Sequence, residues 1–177
     1  QWILTTHSTA YLNKLLNLQL NKAEIRRTGF PLTKSLVDRE IVIMGGTLEC
    51  CQYALETGVS LNIAGGTHHA YSDHGEGFCL LNDLAIAANY LIAADLAKRV
   101  LIVDLDVHQG NGTVDIVGGD ERILMCSSFQ HPFYPHSHVH RQADNIVNIP
   151  IEANCSSEEY RKQVEAGWLK RLNEFKP

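Results

Sequence analysis

The sequence predicts an α/β fold in which helices flank an open, mainly parallel sheet. Three observations carry this. Short runs rich in Val, Ile and Leu (VLIVDLDV at 100–107, ERILMCSS at 121–128, NIVNIPI at 145–151) read as strands covered on both faces. Segments with helical apolar spacing and recognisable caps accompany them. The alternation of strand, helix and strand favours parallel pairing.

The elements follow in order. In HSTAYLNKLLNLQL, residues Tyr11, Leu12, Leu15, Leu16 and Leu18 recur at helical spacing, with Leu20 beyond and Ser8 or Thr9 as cap. RRTGFPLT is a loop broken by Gly29 and Pro31. A long helical pattern runs from Lys34 to Glu56 and stops at Gly58. Gly45 and Gly46 lie inside it, and mid-helix glycine costs roughly 1 kcal/mol, so both are expected to pack closely on a neighbour. VSLNIAGG reads as a short buried strand and THHAYSDHGEGF as a loop. Asn82 or Asp83 caps a helix through about Leu96, closed by Lys98 and Arg99. QGNGT gives the backbone room to turn tightly after VLIVDLDV. The final helix, SSEEYRKQVEAGWLKRLNEF, is capped by Ser156 or Ser157.

Composition narrows the function. The chain of 177 residues is long enough for one domain with a real core. Its formal charge of -5, without a basic stripe, argues against direct binding to nucleic acid or an anionic membrane. No apolar run approaches a bilayer span, and QWILTTHSTAYL lacks the pattern of a signal peptide. The five cysteines are odd in number and form no C-x-x-C pair, so reduced thiols and a cytoplasmic location are expected. The adjacent Cys50 and Cys51 read as helix packing rather than metal ligands. The sequence leaves room for an oligomer. Gln1 and Pro177 read as boundaries within a longer polypeptide.

Side chains in a strand alternate, so Asp104, Asp106 and His108 share one side while Val103, Leu105 and Val107 share the other. Ligands of open α/β sheets bind at the carboxyl ends of strands. Carboxylates and an imidazole there suit a divalent metal such as zinc or iron. The bland alternative is a solvated strand end. In AGGTHHAYSDHGEGFC, His68 and His69 follow a Gly-Gly turn, and both can line one pocket from a loop. Imidazole titrates near neutrality, so a pair suggests acid–base work, with Asp104 as a natural carboxylate to orient one ring. Gly75 and Gly77 let this loop approach a ligand, with Phe78 as an apolar wall. In HPFYPHSHVH, His136, His138 and His140 alternate, but the prolines favour a polar surface loop in which Phe133 and Tyr134 wall a pocket.

The motifs GGTHHA, GEGFCLLNDLAIAA and VLIVDLDVHQGNGT, in that order, resemble the metal-dependent histone deacetylase superfamily. The DVHQGNGT form is most similar to its class IV branch and to bacterial histone deacetylase-like amidohydrolases. HSTAYL and RRTGFP resemble the family as well, so the likeness runs from about His7 to the end. It implies a histone deacetylase/arginase-like fold, incomplete at both ends, with residues 1–177 forming a single partial deacetylase domain. It implies hydrolysis of acetyl-lysine in protein to lysine and acetate. A small acetylated amine such as an acetylpolyamine is the rival substrate, and an inactive binding module the rival role.

The resemblance also implies the site. Asp106 and His108 would be metal ligands, with zinc expected and ferrous iron the alternative. His69 would be the general base and acid, His68 its electrostatic partner, and Asp104 the group orienting His68. Asn111 stands where many relatives carry an Asp that orients the second histidine. An amide stabilises an imidazolium less than a carboxylate does, which implies a weaker base at His69. Gly77, Phe78 and Tyr134 would line the acyl-lysine tunnel. Main-chain oxygens near Asp104, Asp106 and His108, with Ser127, would form a monovalent-cation site, usually potassium. The family's third metal ligand and its oxyanion-stabilising Tyr have no counterpart in this sequence. Asp120, Asp144 and the histidine-rich loop are the substitutes present.

Overall fold

The structure is a computed structural model and describes residues 1–136 and 143–177. His138 and His140, two of the three alternating histidines, lie outside the described residues. After a short 3-10 turn at Trp2–Thr5 come α1 (Thr9–Leu16), α2 (Lys22–Thr28), α3 (Lys34–Thr57) and α4 (Asp83–Ala93). They are followed by β1 (Val100–Asp104), α5 (Asn111–Val117), β2 (Ile123–Gln130), β3 (Ile146–Ile151) and α6 (Ser157–Phe175).

The strands form a parallel sheet in the order β1-β2-β3, with Asp104 beside Ser127 and Ser128 beside Ile149. Strand alternation sends Ile102, Ile123 and Met125 to one face, where Ala85, Ala88, Val114 and Val117 of α4 and α5 cover them. Leu124, Cys126, Ile149 and Ile151 face the other way, onto Trp168 of α6. A third cluster (Tyr11, Leu15, Val37, Met44, Leu80, Ile86) joins α1, α3 and α4 beside the sheet. Among the described residues no helix is long and apolar enough to cross a membrane.

Several helix boundaries follow from local chemistry. Ser8, Thr33, Asn82 and Ser156 accept N-terminal N–H groups, and Gly58 closes α3 at φ 90°. Other expectations are corrected. Residues 22–28, partly assigned to a loop, form α2 with a capping box between Asn21 and Glu24. QGNGT does not merely turn but opens α5. The helix α4 ends at Ala93, leaving Lys98 and Arg99 in the connection to β1. Gly46 meets Asn62, but nothing lies near Gly45, which therefore needs no close neighbour.

The predicted strand at 59–66 is absent. Val59, Leu61 and Ile63 are 78%, 83% and 98% exposed, and no described strand pairs with them. Among the described strands β2 alone is buried along nearly its whole length. β1 lies at the sheet edge, and Val103, Leu105 and Val107 are exposed, so the expectation of strands covered on both faces fails there.

Asn145 ties the entrance of β2 to the end of α5. Its Nδ2 donates to the carbonyls of Val117, Asp120 and Ile123 at 2.9, 3.1 and 2.8 Å, and its Oδ1 accepts from Gly119 N–H at 2.8 Å. Alanine there would strand buried carbonyls. Asn145→Ala should lose about 2–4 kcal/mol of unfolding free energy, read from the urea midpoint.

Candidate active site

β1 ends at Asp104, so Asp106 and His108 are not strand residues as expected but lie in the loop that follows. Two consecutive carboxylate turns preserve their common direction: Asp104 Oδ1 accepts from Asp106 N–H at 3.0 Å, and Asp106 Oδ1 from His108 N–H at 2.7 Å. His108 Nδ1 then lies 2.9 Å from Asp106 Oδ1. Burial alone would push the Asp106 carboxyl up; the His108 N–H and the nearby imidazoles outweigh it and hold it below the ordinary range.

The histidine pair is buried, and its rings lie 4.1 Å apart. Each ring is held through Nδ1. His68 Nδ1 is 2.7 Å from Asp104 Oδ2, and His69 Nδ1 is 2.6 Å from Asn111 Oδ1. This leaves Nε2 as the remaining ring nitrogen in each, with His68 Nε2 4.0 Å from Asp106 Oδ1. Burial, reinforced by His68, lowers the pKa of His69 to about 4, so its ring is neutral near pH 7.

A cleft of about 550 Å³ runs over these groups, lined by His68, His69, Gly77, Phe78, Asp106, His108 and Tyr134. Tyr134 meets His69 and His108 edge-on at 5.0 and 5.7 Å, and Phe133 stacks on His108. A side chain at Gly77 would strike the Tyr134 hydroxyl and the His69 ring. Gly77 and Phe78 both have positive φ, which turns Phe78 outward to the rim against Phe30. His136 is exposed and belongs to the surface loop.

Asp106 and His108 thus present an oxygen and a nitrogen donor to one cleft, a hard and borderline pair that suits zinc or ferrous iron. Among the described residues no group of three or more His, Cys, Asp or Glu could hold a metal ion. Asp120 and Asp144 precede β2 and β3, at the end of the sheet opposite Asp106, and Asp120 is engaged by Arg122. Neither can be the third ligand. Ser127 is buried beside Asp104 with its Oγ unsatisfied among the described residues, an environment that fits a small cation.

The support behind the site is not visible from its motifs. Asp83 accepts from Gly66 N–H, Thr67 N–H and the hydroxyls of Thr67 and Thr47, pinning the turn before His68. Asn82 Nδ2 donates to Ala70 O at 3.0 Å and to Thr113 Oγ1 at 3.0 Å. His7 Nε2 accepts from Asn82 N–H at 2.9 Å. These three residues sit in quoted motifs, but their polar roles depend on partners distant in sequence.

Burial lowers the pKa of His7 to about 4 from 6.5. Below pH 6.5 the unfolded chain binds a proton that folded His7 refuses. The stability from this group is complete above that pH, falls as the pH drops towards 4 and then levels off. The linked loss is about 3 kcal/mol. Urea midpoints at pH 7.5 and 4.5 should show it, and His7→Gln should flatten the dependence.

The family model described as the histone deacetylase domain matches residues 1–177. A protein of Picosynechococcus sp. described only as uncharacterised is 44% identical over 126 residues, covering 71% of this chain and 42% of its own length. Histone deacetylase 2 of Arabidopsis thaliana is 27% identical over 99% of this chain and 46% of its own length. The solved structure of a histone deacetylase homologue from Aquifex aeolicus superposes with a TM-score of 0.82 at 23% identity, covering 98% of this chain and 51% of that one. The chain spans about half the length of the relatives it matches.

Proposed function

The chain belongs to the histone deacetylase family, and from that premise we propose that it supplies the histidine pair and two metal ligands of a zinc-dependent deacetylase. The substrate is acetyl-lysine in protein. The observation that carries this reading is the convergence of His68, His69, Asp106 and His108 on one cleft, with each histidine of the pair anchored through Nδ1. Cytoplasmic location accords with the five free cysteines.

Asp106 and His108 would hold the metal, which when bound polarises the acetyl carbonyl and acidifies a water. His69, neutral near pH 7, has Nε2 available to take the water proton and to return it to the leaving amine. His68, bonded through Nδ1 to the buried Asp104, would be its electrostatic partner. Gly77 allows the acyl chain past His69 and Tyr134, and Phe78 forms the rim. Ser127 with main-chain oxygens near Asp104, Asp106 and His108 would hold a potassium ion behind the site. Arg26 and Arg27 line the same cleft, and their charge disfavours a polycationic acetylpolyamine.

The test is acetate release from an acetyl-lysine peptide by purified protein, before chelation, after it and after zinc is returned. Turnover should vanish with chelation and reappear with zinc. Release from an acetylated polyamine alone would replace acetyl-lysine by the small-amine substrate. Release from neither, with zinc bound, would leave a binding module.

A further inference from the structure

We infer that Glu76 is a positioning residue for His69, acting through Asn111 as the terminal carboxylate of a relay; this rests on the role proposed for His69. Asn111 Oδ1 lies 2.6 Å from His69 Nδ1, and Asn111 Nδ2 donates to Glu76 Oε1 at 2.7 Å.

An amide has two different ends. Its oxygen only accepts and its nitrogen only donates, whereas a carboxylate only accepts. Glu76 therefore fixes which way Asn111 faces. The flipped amide would point its oxygen at the carboxylate and strand a buried acceptor. With Oδ1 turned to the ring, His69 Nδ1 must carry the hydrogen, and Nε2 must present its lone pair to the cleft. That is the tautomer a general base requires. The negative charge that an Asp would place directly on the histidine is here one residue further out.

The backbone holds Glu76 in place for this. Its N–H and carbonyl bond to Cys79 at 3.0 and 2.9 Å, and the next two N–H groups bond to the carbonyls of Arg27 and Thr28. Asn111 is fully buried at the start of α5. Tyr134 and Tyr71 also face this pair, but a hydroxyl both donates and accepts and so cannot impose a direction.

The decisive experiment moves the charge. Glu76→Gln removes it and lets Asn111 face either way. Asn111→Asp alone puts two carboxylates against each other. The double variant E76Q/N111D puts one carboxylate directly on His69, with an amide behind it. Nitrogen-15 NMR of the His69 ring should show Nδ1–H alone in the parent and the double variant, and mixed tautomers in E76Q. Turnover should fall about 10–100-fold in E76Q and recover most of that loss in the double variant. An unchanged tautomer in E76Q, or losses that simply add in the double variant, would overturn the relay. The NMR result does not depend on deacetylation: inactivity of the parent on acetyl-lysine would count against the proposed function, while the tautomer pattern would still decide the relay.

Discussion

Replacing His69 by alanine is expected to lower acetyl-lysine turnover by about 10²–10⁴-fold while leaving the fold intact. The size follows from the work assigned to one atom. In the proposed mechanism His69 Nε2 both takes the water proton and returns it to the leaving amine. His68 is the nearest ring, at 4.1 Å, but its Nδ1 is engaged by the buried Asp104. The fold should survive because, among the described residues, the ring's one short polar contact is with Asn111, which keeps its bond to Glu76. Steady-state kinetics beside a thermal melt separates the two effects. A His69→Ala protein that melts normally and retains full turnover would remove His69 from the mechanism.

The largest expected effect on stability belongs to Gly112→Ala, a loss of about 3–4 kcal/mol. A Cβ at this position would overlap the Ala70 carbonyl oxygen and stand 2.6 Å from the carbonyl carbons of Ala70 and His69. These are backbone atoms and cannot rotate aside. They are also tied down: Asn82 holds Ala70 O, and Thr113 N–H bonds to His68 O at 3.0 Å. Either α5 moves off the sheet or the histidine turn moves off α5, and both carry site residues. The melting temperature should drop by about 6–15 °C, with turnover falling alongside. Gly45→Ala is the matched control. It lies within α3 with nothing near its missing Cβ, so the same added methyl should stabilise by about 0.5–1 kcal/mol. Equal effects at the two positions would contradict the close approach at Gly112.

The contrast between these glycines shows what a sequence can disclose. Gly58 ends a helix by its own backbone geometry, and Ser156 caps one three residues away; both are local and were legible. The core strands were legible because each opens on a short apolar run, as ILMC at 123–126 opens β2. Gly112 sits in a motif that looks like a turn, and only the position of Ala70 reveals why no side chain fits there. The failed strand at 59–66 has the same origin. Its composition suits a strand, but strand structure requires a hydrogen-bonding neighbour, and composition cannot supply one. At the site, the histidine pair and the Asp-x-Asp-x-His run stand out by spacing. Glu76 does not, because its significance arises from one amide 35 positions away.

The bare apolar stretch at Val59, Leu61 and Ile63, with the border of β1 that no described strand pairs, has a consequence at the bench. Surfaces of this kind adhere to one another as protein concentration rises. Preparations of the 177-residue polypeptide should therefore scatter light increasingly with concentration. Sulfate should worsen the adhesion, since it strengthens the escape of hydrocarbon from water, and urea well below the unfolding midpoint should relieve it.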